Sequence, residues 1–253
     1  VHYLNLKDAS KDIVVNERFK KLYARFCPGP ITFVLQKRYG SKINPLSTSR
    51  LKTVAIRFPK HKVIRSILKC INFPLAMPSA NKSTNVSPVT AEDVYDEFKR
   101  KINLIIDGGK CKVGIESTVI DLSYESKILR PGIIDKISIE KVLKKKIKKS
   151  VKNRKMKSPG MMQKHYSPGI PVLINQKKHD GKSAFIYLGS KYKNKSKFFS
   201  LSKNFNLNEA ASNLYKIFRK IKKKGYKKIQ IGRIPNLRSG VAINDRIKRA
   251  SNS

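Results

Sequence analysis

Between Thr53 and Gly132 the chain carries a relay of short polar motifs set at the ends of apolar runs. They read T-V-A-I-R-F-P-K-H from Thr53, P-S-A-N-K-S from Pro78, S-P-V-T from Ser87, G-I-E-S-T-V-I-D from Gly114 and L-R-P-G from Leu129. Each offers hydroxyls, an amide or a guanidinium. Neither a metal-ligand cluster nor a glycine-rich phosphate loop accompanies them. That inventory fits a cavity that holds phosphates and a small polar substrate through hydrogen bonds and positive charge.

Single residues in this relay have two readings. Arg57 closes an apolar run and is followed by Pro59, which stops a ladder; its fork either grips a carboxylate or phosphate, or is a plain surface group. Arg130, before Pro131-Gly132, has the same pair of readings. Ser79, Asn81, Ser87 and Ser117 present small donors to phosphate or ribose oxygens, or else are turn and cap residues. Ser117 as a nucleophile lacks the G-x-S-x-G setting, and no histidine is placed by sequence to act as its base. Glu116 is a candidate general base or a partner to Arg57. His2 and His61 flank strand-like runs. His165-Tyr166 lies between Pro159-Gly160 and Pro168-Gly169, which suits either a bare connector or a linker that folds over a cavity and excludes water.

Hydrophobic patterning supplies the elements that must position these groups. Strands are expected at 31–35, 53–56, 73–77, 104–106 and 118–122. Helical spacing appears at Val63, Ile64, Ile67 and Leu68. Thr90 with Asp93 resembles a capping box, so a helix is expected over 91–100. Ser138 is positioned to cap a short helix carrying Val142 and Leu143. After a Lys-rich and then Pro-Gly-containing stretch, strands are expected at 184–188 and 229–231. Between them Ala210, Ala211, Leu214, Ile217, Phe218 and Ile221 form a helical stripe that ends at Gly225. A last helix is expected over 241–250. Alternating strands and helices imply an α/β class throughout.

Composition bounds the function classes. With 253 residues and 40% hydrophobic content the chain can bury a sizeable core and is not disordered. No apolar run approaches the 18 or so residues of a membrane helix. Three cysteines without paired spacing argue against a disulfide scaffold or zinc site and fit a reducing, cytoplasmic setting. The 57 Lys and Arg against 16 Asp and Glu give a formal charge of +41, which draws polyanions at long range. Direct RNA contact through a basic surface is one reading. Compositional drift is the other, because the basic residues are spread along the chain and the run at 144–149 sits in the expected linker.

In order and spacing, P-G-P-I-T from Pro28, V-A-I-R-F-P-K-H from Val54, P-S-A-N-K-S, E-S-T-V-I-D and L-R-P-G together resemble the threonylcarbamoyl-adenylate synthase family. P-G-M-M-Q-K-H-Y-S-P from Pro159, and more weakly A-I-N-D-R from Ala242, resemble its longer two-domain members. The resemblance implies an α/β fold with a twisted mixed sheet of the YrdC-like type around a central basic cavity. It implies this catalytic domain over 1–143, a linker over 144–169 that folds over the active site, and a smaller Rossmann-like domain over 170–253. The implied reaction joins L-threonine, bicarbonate and ATP to give threonylcarbamoyl-adenylate and pyrophosphate, with Mg2+ accompanying the ATP. The product feeds the machinery that makes threonylcarbamoyladenosine in tRNA.

Carried over by motif, His2, Arg57, Met77 and Ser117 are the implied threonine contacts. Thr53, Ser79, Asn81, Ser87, Arg130 and Tyr166 are the implied ATP contacts. No protein nucleophile and no protein-ligated metal are implied. The family's opening Thr-x-Thr-x-Tyr-Gly and Lys-x-Arg-Pro stretches do not occur, and Val1-His2 reads as following directly on them. The expectation is that an N-terminal piece precedes Val1 and that the peptide without it turns over little. The competing reading is an RNA-binding α/β module without catalysis, which the charge favours and the lack of any RNA-binding signature opposes.

Overall fold

The structure is a computed structural model that describes residues 1–147, 165–192 and 195–252. In chain order its regular elements are α1 (Leu6–Ala9), α2 (Glu17–Phe26), β1 (Ile31–Gln36), β2 (Thr53–Arg57), α3 (Lys62–Ile71), α4 (Ala91–Phe98), β3 (Thr118–Asp121), β4 (Lys127–Arg130), α5 (Lys136–Leu143), β5 (Val172–Leu173), β6 (Ala184–Tyr187), β7 (Phe198–Ser200), α6 (Leu207–Lys223), β8 (Ile229–Ile231) and α7 (Ser239–Ser251). They form two compact units, each built from two stretches of chain: Val1–Pro78 with Glu116–Met161, and Ser79–Ile115 with Met162–Ser253.

The first unit is built on a mixed sheet in the order β2-β1-β3-β4. β1 runs antiparallel to β2 and parallel to β3, and β3 runs antiparallel to β4. Alternation along β1 sends Phe33 and Leu35, both fully buried, into a core with Phe19, Leu22, Val54, Ile56, Phe58 and Ile120. Phe19 of α2 meets Phe33 edge-on at 5.0 Å between ring centroids. Asn16 starts α2 by accepting a hydrogen bond from the Phe19 N–H. The opposite alternation leaves Thr32 on the other face, directly across from Arg57 and beside Val119, which in turn lies across from Arg130.

The second unit holds an all-parallel sheet, β5-β8-β6-β7. β6 is buried along its whole length, as parallel strands covered on both faces are. α6 buries all six residues of the expected stripe and Tyr215 besides. Gly225 follows its end at φ +78°, a left-handed position that side chains resist. α7 packs on α6 and against β5.

Several sequence expectations change in the structure. Residues 73–77 form no strand; only Leu75 pairs, in an isolated bridge to His2. Leu104 and Ile106 are exposed rather than in a strand, because this short apolar run finds no neighbour to complete a ladder. Asp135, not Ser138, caps α5: its carboxylate accepts from the Ser138 N–H at 2.7 Å, which puts Ser138 inside the first turn. Thr90 caps α4 as expected, but Asp93 reaches past it to the Val89 N–H. α4 closes at Phe98 and a 3-10 turn carries Lys99–Lys101. Most of the expected linker, residues 148–164, lies outside the described residues, and so does its expected closure over the site.

Candidate active site

The polar face of the first unit's sheet gathers four side chains from separate motifs. Opposed residues in a ladder project to one face, as do residues two apart. Arg57, Thr32, Ser117 and Arg130 therefore share a face at the end of the sheet where β1 and β3 begin. His2 joins them because Val1–Tyr3 lies along the end of β2: the Arg57 N–H donates to the Val1 carbonyl (2.9 Å) and the Tyr3 N–H to the Arg57 carbonyl (3.0 Å). His2 also exchanges both backbone hydrogen bonds with Leu75 (2.8 and 3.1 Å), which fixes the chain two residues before Met77.

Arg57 is the electrostatic centre of this face. Among the described residues no carboxylate forms an ion pair with it, Glu116 included, and its buried Nε has no hydrogen-bond partner. Burial first, and then the nearby Arg130 charge, hold its pKa below the ordinary guanidinium range. A cation drawn even partly out of water without an acid partner is costly in a fold. Two such cations on one face create a field that an anion relieves. His2 adds none to it: burial above all, and with it the Arg57 charge, pushes its pKa down to about 4, so the imidazole is neutral at pH 7.

Ser117 is locked in place. Its Oγ lies 2.7 Å from Thr32 Oγ1 and accepts from Arg130 Nη2 (3.2 Å), while Arg130 Nε donates to the Ser117 carbonyl (3.1 Å). Ser117 is 3% exposed and Arg130 9%. Neither hydroxyl partner of Ser117 is a base, so its role is to donate and accept hydrogen bonds, not to attack. The turn after Arg130 explains the L-R-P-G glycine: a Cβ on Gly132 would lie 2.4 Å from the Thr118 amide nitrogen. Gly132 lets the loop press on β3 and hold Arg130 over Ser117. Thr32 was not singled out by sequence reasoning. Its signal was there, as the last residue of P-G-P-I-T on the polar face of an alternating strand.

The other sequence candidates are placed differently. Thr53 starts β2 opposite Gln36, four residues and about 13 Å along the strand from Arg57. Ser79, Asn81, Ser87 and Tyr166 belong to the second unit. Ser79 is exposed and Ser87 half-buried. The Asn81 amide donates to the carbonyls of Lys82 (2.8 Å) and Asn85 (3.2 Å), so it shapes its own turn. Tyr166 is fully buried at φ +64°, stacked on Tyr215 with Arg246 over its ring at 5.1 Å. Among the described residues no three His, Cys, Asp or Glu side chains gather as metal ligands. No described helix is long and apolar enough to cross a membrane.

Comparison with known proteins gives a consistent result over the whole chain. A family model described as Telomere recombination matches residues 1–132, and one described as Threonylcarbamoyl-AMP synthase, C-terminal domain, matches 134–252. The threonylcarbamoyl-AMP synthase of Pyrococcus abyssi is 34% identical over 259 residues, covering 94% of this chain and 74% of the relative. That of Bacillus subtilis is 38% identical over 162 residues, covering 62% of this chain and 46% of the relative. The crystal structure of P. abyssi Sua5 complexed with L-threonine superposes with a TM-score of 0.88 at 30% identity, over 99% of this chain and 79% of that one. The chain belongs to the threonylcarbamoyl-AMP synthase family.

Proposed function

We propose that this chain condenses L-threonine, bicarbonate and ATP into threonylcarbamoyl-adenylate and pyrophosphate, for threonylcarbamoyladenosine modification of tRNA. The observation that carries the reading is Arg57: a half-buried guanidinium whose buried Nε has no hydrogen-bond partner and which has no acid partner among the described residues, on one face with Thr32, Ser117 and Arg130. A relative crystallised with L-threonine supports it. Arg57 takes the amino acid's carboxylate by charge-assisted hydrogen bonds. Ser117, oriented by Thr32 and Arg130, takes a second polar group of threonine, with neutral His2 and the Met77 backbone completing that side.

The chemistry needs positioning and charge rather than a protein nucleophile. The threonine amine and bicarbonate combine to a carbamate with loss of water. A carbamate oxygen then forms a bond to the α-phosphorus of ATP, and the bond from that phosphorus to the bridging oxygen breaks as pyrophosphate leaves. Negative charge grows on the phosphate oxygens, where the remaining N–H groups of Arg130 act as a preorganised donor. Thr53, Ser79, Asn81, Ser87 and Tyr166 are assigned to the nucleotide side. Magnesium is assigned to the ATP phosphates, which would carry it into the site.

In this reading residues 1–143 are the catalytic domain and 170–253 the accessory domain, in the cytoplasm, handing product to the tRNA-modifying machinery. The test is incorporation of labelled bicarbonate by the full-length protein. Label should enter an adenylate only with ATP and L-threonine both present, with one pyrophosphate released per adenylate. Threonine-independent conversion of ATP to ADP would point to a different activity.

A further inference from the structure

The second unit contains a buried charge network that the scheme above does not use. Arg219 of α6 donates from Nη2 to the Val86 carbonyl at 2.7 Å. The same guanidinium lies 3.6 Å from Glu97 Oε2 and 3.8 Å from Asp93 Oδ2. The three side chains are only 15, 10 and 11% exposed. Both of these α4 acids are at work on the preceding loop. Asp93 accepts from the Val89 N–H (3.0 Å), and Glu97 accepts from the Lys82 N–H (3.0 Å) and the Asn85 amide (2.7 Å). The loop also bridges the residue after Tyr166: the Ser167 N–H donates to the Thr84 carbonyl (2.8 Å) and the Val86 N–H to the Ser167 carbonyl (3.1 Å).

Arg219 therefore joins three pieces of chain. It neutralises the acids that shape residues 82–89, holds the Val86 carbonyl directly, and so fixes the segment to which residue 167 is bridged. Without a cation, two largely buried carboxylates and a carbonyl would lose their common partner, and the loop would relax toward water. Exposed Lys223 pairs with Asp96 (2.9 Å) and Glu92 (3.4 Å) on the outer side, where such pairs contribute little.

We propose that Arg219 is a positioning residue for the nucleotide. From the C-terminal stretch it sets the loop carrying Ser79, Asn81 and Ser87, which gives the accessory domain a direct part in ATP binding. This rests on the assignment of those residues to the nucleotide side. The test compares full-length protein with Arg219→Met, Arg219→Lys and Ser79→Ala by calorimetric titration of ATP and, separately, of L-threonine, with thermal melts alongside. Arg219→Met should weaken ATP binding by about tenfold or more, as small misplacements of a site do, and leave threonine binding within about twofold. Arg219→Lys keeps the charge without the fork and should fall between.

A lowered melting temperature with ATP affinity unchanged would overturn the proposal and leave Arg219 a structural residue. Equal losses for ATP and threonine would overturn it too. Ser79→Ala tests the underlying assignment on its own: unchanged ATP affinity there removes Ser79 from the nucleotide side, whatever Arg219→Met does. If Arg219→Met does not fold, the triple variant Arg219→Met, Asp93→Asn, Glu97→Gln removes the network's charges together. It should still lose ATP affinity selectively, and normal ATP binding by it would refute the role.

Discussion

Arg57→Met separates a ligand-binding role from a structural one, because the two roles predict opposite signs. Methionine roughly conserves volume and removes the charge. A charge-assisted hydrogen-bonded contact to a carboxylate contributes about 1.5–3 kcal/mol, so L-threonine affinity should fall by a factor of about 10 to 150. Stability should move the other way or not at all. Among the described residues Arg57 has no acid partner to lose, its partial burial is unfavourable, and Arg130 repels it; removing it relieves both costs. Isothermal titration with L-threonine reads the first effect and a thermal melt the second. Unchanged threonine affinity, or a melting temperature that drops steeply while affinity holds, would refute the reasoning. Arg57→Lys should recover only part of the loss, since an ammonium cannot make two parallel bonds to a carboxylate.

Other predictions follow from the same face. Thr32→Val keeps the shape but removes the hydroxyl at 2.7 Å from Ser117; threonine affinity should fall several-fold, by about 1 kcal/mol, with the melting temperature nearly unchanged. Gly132→Ala puts a Cβ 2.4 Å from the Thr118 nitrogen and should cost about 1–3 kcal/mol in denaturant unfolding while also displacing Arg130; wild-type stability would show the turn has room. His2 has a folded pKa near 4 against an ordinary 6.5, so as pH falls the unfolded chain takes up its proton first. Stability from this residue is complete above about pH 6.5, declines between there and about 4 and levels off below, by at most about 3 kcal/mol and less for its partial exposure. His2→Gln should flatten that slope in pH-dependent melts, and an unaltered slope would assign it to other groups.

Much of this was legible in the sequence because period and motif coincide. β1, β2, β3, β6, β8 and the α6 stripe follow from alternation or helical spacing, and the residues closing those strands are the polar ones. Arg57, Ser117 and Arg130 stood out as candidates because each borders an apolar run at a ladder's end. Thr32 was overlooked because a threonine within a strand is ordinary by composition; only the β1 register, which puts it opposite Arg57, gives it meaning. Runs 73–77 and 104–106 misled because a short apolar stretch is a strand only if another strand accepts it, and sequence does not show the neighbour. The Arg219 network was invisible for a similar reason: its members sit more than a hundred residues apart and look like solvated charges on two helices.

The most direct test of the central claim is a crystal structure of the full-length protein with L-threonine. The account predicts the carboxylate within about 3 Å of the Arg57 guanidinium, with a second polar group of the amino acid on Ser117. Threonine bound elsewhere, or bound with its carboxylate turned away from Arg57, would contradict it.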